Sequence, residues 1–546
     1  MNAEAKRYER NELTTIGYVI IAITIAIAAG RIAVVKSREG DTAFLSANDR
    51  SRWCTIAALV EDGTFVIDRQ LEITDPSGRR RPWSTIDRVR HTGTDGVMHF
   101  YSSKPPLFTI LISVVYWVIY NATNLSLTDH PIYVARMILG IVNLPMLAIL
   151  LVTIWRIFLG FYMPDSGKIY GLAVACFGTA LLPLTTTLNN HLPAAMTTAL
   201  TLALYLNVAG KNEFKSIASS FLCAGLAAAA TVVNELPALA MFAVWTVLFF
   251  QRHVIATATV FLPAALLVGS AYVVTNQIAH QSYRPPYMHR SDGDVIATLQ
   301  TVGDNAPSKE AVAEAMATQK MPKAARRKEY TLVTTSSPDR WIIESNQGNE
   351  RLALAKYAPS WWSSGETDSS TITWEIREWD HWYDYPGSYW TGKRRGVDAG
   401  EPSRLIYALN LLIGTFGIFS LTPVWLLIPK GFQLRTETAQ GRFRINLAIG
   451  IAVATCFCLL FYIARPQIDR NYGGVSSSFR WMLWFMPLWL WVMAPALTWA
   501  MERAWAKNTA YALLAMSVFS MSTVLENPWQ HPWIYRFFAF LGWIEP

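Results

Sequence analysis

Two segments carry an acid and a base in settings suited to chemistry on an anionic substrate. In SANDRSRWCTIAALVEDGTFVID, Asp49 stands at the start of an amphipathic helix, just after an apolar N-terminal run. In DGVMHFYSSKPPL, Lys104 precedes two prolines that end a strand and open a helix. A carboxylate can act as general base. A lysine can hold a phosphate as a point charge. An acid and a base at the same lipid–water level therefore suit a lipid-linked phosphate. Each has a competing role. Asn48 or Asp49 can cap a helix beginning near Ser51, and Lys104 can snorkel to the interface as an anchor.

Other polar residues interrupt apolar runs. TTTLNNHLPAA places Asn190 and His191 at a helix start, and Glu235 lies between two apolar runs, where an ionisable group is costly. Asn190 and His191 suit sugar hydroxyls. His191 and Glu235 are of metal-ligand type and are the candidates for a divalent ion; no other cofactor is indicated. Helix capping and a solvated turn are the competing roles. The turn ARPQIDRNYGGVSSSFRW holds Arg465, Arg470, Tyr472 and Arg480. Its arginines suit a polyprenyl phosphate gripped bidentately. Gly473 and Gly474 would let backbone amides approach an anion. Headgroup contact is the alternative. In WEIREWDHWYDYPGSYW, Trp382 and its neighbours suit stacking on sugar rings, or form a small aromatic core.

Composition says what must position these residues. The chain of 546 residues is 52% hydrophobic and only 16% charged, with mean hydropathy +0.23. Soluble domains carry about 25% charged residues, so the excess apolar surface faces lipid. An ordinary cytosolic enzyme, a disordered chain and a disulfide scaffold are excluded. Of five cysteines, only Cys54 lies in a polar region, and no CxxC occurs. The net charge of +8 comes from basic residues between apolar runs, which reads as topology and not as a nucleic-acid surface.

Runs able to span the bilayer begin near residues 14, 131, 169, 190, 217, 236, 254, 405, 445, 479 and 509, eleven in all. The stretch 105–121 is at the lower limit of length. Arg156, Lys168, Lys211, Lys215, Arg252, Lys430, Arg435, Arg442, Arg444, Arg503 and Lys507 all become cytoplasmic if 105–121 does not cross. That stretch is therefore read as an interfacial or re-entrant helix, with the N-terminus cytoplasmic and the C-terminus outside. The expected segments are an anchor at 1–36, a first outer loop at 37–130, a bundle at 131–275, an outer loop domain at 276–404, a second bundle at 405–525 and an interfacial tail at 526–546. The loop 276–404 holds seven tryptophans and reads as folded, with a helix at 308–320 and strands and turns at 371–390. The first outer loop reads as a helix at about 49–61 with short strands at 64–67 and 97–101.

Asp49, Arg52 and Trp53, with Lys104, Pro105, Pro106 and Leu107, resemble the two motifs of GT-C membrane glycosyltransferases. The likeness is to glycosyltransferase family 39, the protein O-mannosyltransferase and aminoarabinose transferase group. That group carries Asp-Glu-x-Arg-Tyr in its first outer loop and a later Lys-Pro-Pro-Leu. Arg50 departs from the pattern, standing where the family often has an acid. GEPSR (400–404), SLTPVWLL (420–427) and NYGGVSSSFRW (471–481) resemble uncharacterised bacterial members. The resemblance implies a GT-C-like, all-α polytopic fold of about eleven spans with a mixed α/β outer loop domain, in a bacterial inner membrane. It implies Asp49 as the catalytic carboxylate and Lys104 as the contact to the lipid-carrier phosphate. Arg465, Arg470 and Arg480 are further expected on that phosphate, with Arg52, Asn190, His191, Glu235, Tyr472 and Trp382 toward sugar or acceptor. The expected partners are a lipid-linked sugar donor, an extracytoplasmic acceptor and membrane lipids. A lipid-linked-saccharide transporter and a non-catalytic lipid-carrier-binding protein are the rival classes. No inverted repeat of the transporter kind is visible.

Overall fold

The structure, a computed structural model, describes residues 3–208, 213–302, 307–317, 330–335, 339–345, 351–357, 371–391, 394–432 and 439–544. The chain divides into two compact units. The first comprises Met1–Asp49, Leu111–Tyr272 and Arg395–Pro546; the second comprises Arg50–Ile110 and Val273–Arg394.

Among the described residues, seven helices are long and apolar enough to cross a membrane: Asn11–Val34, Pro106–Thr123, Pro131–Leu159, Ser216–Asn234, Val254–His280, Phe443–Ala464 and Arg480–Met501. The chain is thus a multi-pass membrane protein. The helix Ala439–Ala464 shows how such an element is built. Ile449, Val453, Phe457 and Leu460 line one exposed stripe at helical spacing, while Leu447, Ile451, Ala454 and Cys458 are buried. Six of the seven helices coincide with expected spans. The seventh, Pro106–Thr123, is the stretch assigned to the interface, and its 18 residues suffice in length.

The remaining expected spans are shorter or broken. The run from 169 is divided into Asp165–Phe177 and Leu181–Leu184 around Gly178 and Pro183. The run from 190 is the helix His191–Asn207, and that from 236 ends in Leu239–Phe250. The run from 405 is cut into Arg404–Leu412, Ile418–Leu421, Pro423–Leu427 and Ile428–Gly431. Gly414, Gly417, Pro423 and Pro429 are the breakers. The run from 509 is the helix Ala504–Ser522, which has the length but not the hydropathy of the seven. Hydropathy averages over such breaks, which is why a count by runs exceeds a count by helices. Packing is close in the helical unit: a Cβ on Gly17 would run into the Trp155 indole.

The second unit holds the β-structure. Strands β1 (Arg88–Thr92) and β2 (Met98–Ser102) form an antiparallel hairpin in which Arg90 faces Phe100. The expected strand at 64–67 is absent there; Ile67 instead donates one backbone bond to Phe100. Strands β3 (Val295–Val302), β4 (Tyr330–Thr334), β5 (Arg340–Ser345), β6 (Arg351–Lys356) and β7 (Thr371–Glu378) form an antiparallel sheet in the order β3-β7-β6-β5-β4. The helix Lys309–Ala317 covers it, burying Val312 and Met316 with Leu299, Ile343, Leu354, Trp374 and Ile376. Of the seven tryptophans, Trp361 and Trp362 lie outside the described residues, as do 318–320 of the expected helix.

Beside the hairpin the rings stack. His91 lies on Tyr101 at 4.0 Å, and Trp382 packs 4.3 Å from His91 and 3.5 Å from His289. His91 Nδ1–H donates to the Thr92 carbonyl (3.0 Å), leaving Nε2 to accept from His280 Nδ1–H (3.1 Å). Burial drives His91 down to about 4. Burial, and then the Arg340 charge, drive His381 to about 4 as well. Both titrate near 6.5 when unfolded, so between those values the unfolded chain binds more protons. Stability is complete above pH 6.5 and falls as pH drops toward 4. Each such shift amounts to about 3 kcal/mol. His99 works in the opposite sense: Asp68 and Asp95 raise it, so its contribution is lost as pH rises. Its pairing is largely solvated and screened, so the buried pair dominates. We expect the unfolding temperature of the purified protein to drop steadily between pH 6.5 and 4.5, followed by tryptophan fluorescence. A flat profile would show that His91 and His381 are not held neutral.

Candidate functional site

In the helical unit the site is built on a broken helix. After Pro183 the chain leaves helical geometry, and Thr185 and Thr187 turn their carbonyls to the buried Asn143 amide at 2.8 and 3.1 Å. Asn189 then starts the next helix: its Oδ1 accepts from His191 N–H (2.9 Å) and Leu192 N–H (3.2 Å). This caps His191–Asn207 as a short polar side chain does, and it fixes where Asn190 and His191 point.

Those two side chains meet Glu235, which ends the helix Phe214–Asn234. Asn190 Nδ2 donates to Glu235 Oε1 (2.7 Å) and to the Asn234 carbonyl (2.9 Å). His191 Nδ1 lies 2.5 Å from Glu235 Oε1. On its other side, His191 Nε2 lies 2.7 Å from Arg480 Nη1. A guanidinium only donates, so Nε2 accepts and Nδ1 carries the proton to Glu235. Arg480 also donates through Nε (3.0 Å) and Nη2 (2.8 Å) to the Gly473 carbonyl, and lies 4.9 Å over the Trp529 ring. The exposures are 0% for His191, 5% for Glu235 and 9% for Arg480, so the chain of charges is buried.

This geometry corrects two expectations. His191 and Glu235 do not fit a divalent ion: each ring nitrogen of His191 is engaged, one of them by a cation. Among the described residues no group of three or more His, Cys, Asp or Glu is placed to hold a metal. Nor are the Gly473 and Gly474 amides turned to an anion; both donate to Asn471 Oδ1, at 3.0 and 3.3 Å.

Of the expected arginines, only Arg480 joins this group. Arg465 pairs with Asp469 at 3.3 Å. Arg470 donates to the Pro402 carbonyl at 2.6 Å, and its own carbonyl accepts from Glu401 N–H at 2.8 Å. It pins the 400–404 segment to the turn. Gly400 (φ +79°) is required there, since a Cβ would run into the Gln467 carbonyl. Tyr472 stacks on Phe416 at 4.2 Å.

Asp49 is wholly buried, in the helix Ala47–Ala57. Its carboxylate accepts from Ser46 N–H (2.8 Å), Ser46 Oγ (3.0 Å) and Leu45 N–H (3.1 Å), and its own N–H donates to Ser46 Oγ (3.2 Å). This is a reciprocal capping box. The cap is Ser46, not Asn48 or Asp49, and Asp49 is its acidic partner.

In the second unit, Lys104 Nζ pairs with Asp87 Oδ2 at 3.0 Å. The hairpin register sets this up: Arg88 faces Ser102, so Asp87 and Lys104 flank the hairpin end. Ser51 Oγ donates to the Asp87 carbonyl (2.5 Å) and lies 2.6 Å from Ser102 Oγ. Arg52 is buried in the same helix. Trp382 is a buried core residue packed against the His91 and His289 rings, so its ring is not offered to a sugar. Asp87 was missed by sequence reasoning, although WSTIDRV precedes the hairpin. Asn143 was missed too; a lone amide in a long apolar run was its signal.

No family model matches the chain, and no curated protein matches it in sequence. Two solved structures align with it. One is the archaeal oligosaccharyltransferase from Archaeoglobus fulgidus, in complex with an inhibitory peptide and a dolichol-phosphate, at 8% identity and TM-score 0.41 over 94% of this chain. This chain spans only 56% of that protein's length. The other is the protein O-mannosyltransferase complex of S. cerevisiae bound to the sugar donor, at 11% identity and TM-score 0.42, covering 97% of this chain and 92% of that one. At these TM-scores neither likeness assigns an activity to this chain.

Removing Glu235 tests the buried network. Glu235→Ala leaves His191 and Asn190 donors without their acceptor beside a buried guanidinium, and is expected to cost about 3–5 kcal/mol. Glu235→Gln keeps the volume and one acceptor and should cost about 1–3 kcal/mol. Chemical unfolding in detergent measures both; equal, small losses would show that the pair is not buried as described.

Proposed function

We propose that the protein is an integral membrane glycosyltransferase. It would move a sugar from a polyprenyl-phosphate donor to an extracytoplasmic acceptor, with inversion. The observation that carries this reading is the buried Glu235–His191–Arg480 chain inside an apolar helical bundle. Ionisable groups in such a place are expensive and mark function. Glu235 sets the tautomer of His191, and His191 orients Arg480. A cation oriented beforehand is what a leaving phosphate needs as its charge develops. In this reading Asp49 is the base or orienting carboxylate for the acceptor hydroxyl, and Lys104 contacts the donor phosphate. Arg465, Arg470 and Tyr472 shape the segment before Arg480. Arg52, Asn190, His191 and Glu235 serve on the sugar or acceptor side, and the 276–404 segment helps select the acceptor. The finer topology belongs to the same proposal: eleven spans, a cytoplasmic N-terminus and a C-terminus outside a bacterial inner membrane.

The first test is mass spectrometry of lipids that co-purify from the native membrane. A polyprenyl-phosphate sugar would name the donor; ordinary phospholipid alone, in folded protein, would favour a transporter or a scaffold. With the donor known, Asp49→Asn is expected to lower transfer by about 10²–10⁴-fold. Ser46→Ala removes the cap with the carboxylate in place, and should cost about 1 kcal/mol of stability. Turnover unchanged in a folded Asp49→Asn variant would remove Asp49 from the reaction.

A further inference from the structure

We propose that the outer face of the β1–β2 hairpin is a binding site for a phosphate group, held by Arg88 and Arg90 over the Phe100 ring. This site is separate from the residues of the proposed transfer reaction, and stands or falls independently of it. Residues 88 and 90 alternate onto the same face of β1, and the register sets Phe100 opposite Arg90. The Arg88 guanidinium lies 4.5 Å above that ring and 5.5 Å from the Tyr385 ring; the Arg90 guanidinium lies 5.4 Å from Phe100. Two like charges therefore share one aromatic platform. The Nε–H of each is buried and has no hydrogen-bond acceptor. Both residues keep part of their surface accessible.

The neighbouring acids are already engaged. Asp87, next in sequence, pairs with Lys104 at 3.0 Å. Asp68 accepts from Phe100 N–H and from His99 Nδ1, both at 2.7 Å. Glu344 takes Arg351 at 2.6 Å. Burial, and then the like charge of Arg351, lower the proton affinity of Arg90, only partly offset by Asp68 and Glu344. Stacking on aromatic rings offsets part of this cost, but it leaves the in-plane donors unused. Guanidinium forks match phosphate oxygens in that plane. A partly accessible arginine pair with a positive surplus suits an oxyanion. The group could belong to a lipid headgroup or to a free phosphorylated compound.

The test uses the full chain in detergent, titrated calorimetrically with inorganic phosphate and with dihexanoyl phosphatidic acid below its micelle concentration. Wild-type protein should bind at least one probe saturably, and Arg88→Gln with Arg90→Gln should weaken that binding at least tenfold. A preference for the short-chain lipid supports a headgroup as the source; comparable affinities support a free phosphate group. Arg88→Lys keeps the charge and loses the fork, and should weaken binding several-fold even if the double variant does not fold. No saturable binding by wild type, or binding undiminished in the folded variants, would overturn the proposal.

Discussion

In hydrocarbon every peptide group must find a partner within the protein, and several helices of this chain are broken. Several breaks in the helical unit are answered by a side chain. Asn143 takes up the amide-poor stretch after Pro183, with its carbonyls at Thr185 and Thr187. Ser420 donates to the Gly414 carbonyl at 2.5 Å and to the Gly417 carbonyl at 3.3 Å. Asn471 gathers the Gly473 and Gly474 amides. The loosened backbone is thereby made affordable to the fold, and it brings three segments remote in sequence to one polar group.

That group is ordered by the direction of its hydrogen bonds. Arginine can only donate and glutamate, when ionised, can only accept. Histidine between them must present one nitrogen of each kind. The order Glu235, His191, Arg480 is an arrangement in which all three satisfy each other, and Gly473 completes it from the arginine side. Removing either end would leave a charge without its counterpart in a low-dielectric setting, which is the costly case for buried ions. The same logic separates Arg480 from Arg465 and Arg470. Those two are spent on Asp469 and on the Pro402 carbonyl, holding the turn that carries Arg480.

The second unit relies on rings instead of charge pairs. Trp382 packs against two imidazoles, and Arg88 and Arg90 lie on Phe100. For His91, burial disfavours the charged ring and keeps it neutral against Tyr101 and Trp382. Aromatic faces leave a guanidinium's in-plane donors unspent, and this distinguishes the hairpin arginines from Arg340, which is committed to Asp292 at 2.7 Å.

Much was legible in the sequence because it depends on local or averaged properties. Membrane embedding followed from 16% charged residues. Six of the expected spans appear as long helices, since sustained hydropathy is an additive quantity. The helix after the first apolar run and the sheet-rich character of the later segment were visible in their periodicity and tryptophans. Helix breaks were less so: Gly414 and Pro423 are visible, but hydropathy windows average across them. Glu235, His191 and Arg480 were each conspicuous as polar residues beside apolar runs, yet nothing in the sequence joins positions 44 to 289 residues apart. Only tertiary structure decided that His191 faces a glutamate and an arginine instead of a metal, that Asp49 closes a capping box with Ser46, that Lys104 pairs with Asp87, and that Trp382 is enclosed. The physical reason is the same in each case. Residue type sets what a side chain can donate, accept or bury, whereas the partner is chosen by packing and strand register, which are properties of the folded chain.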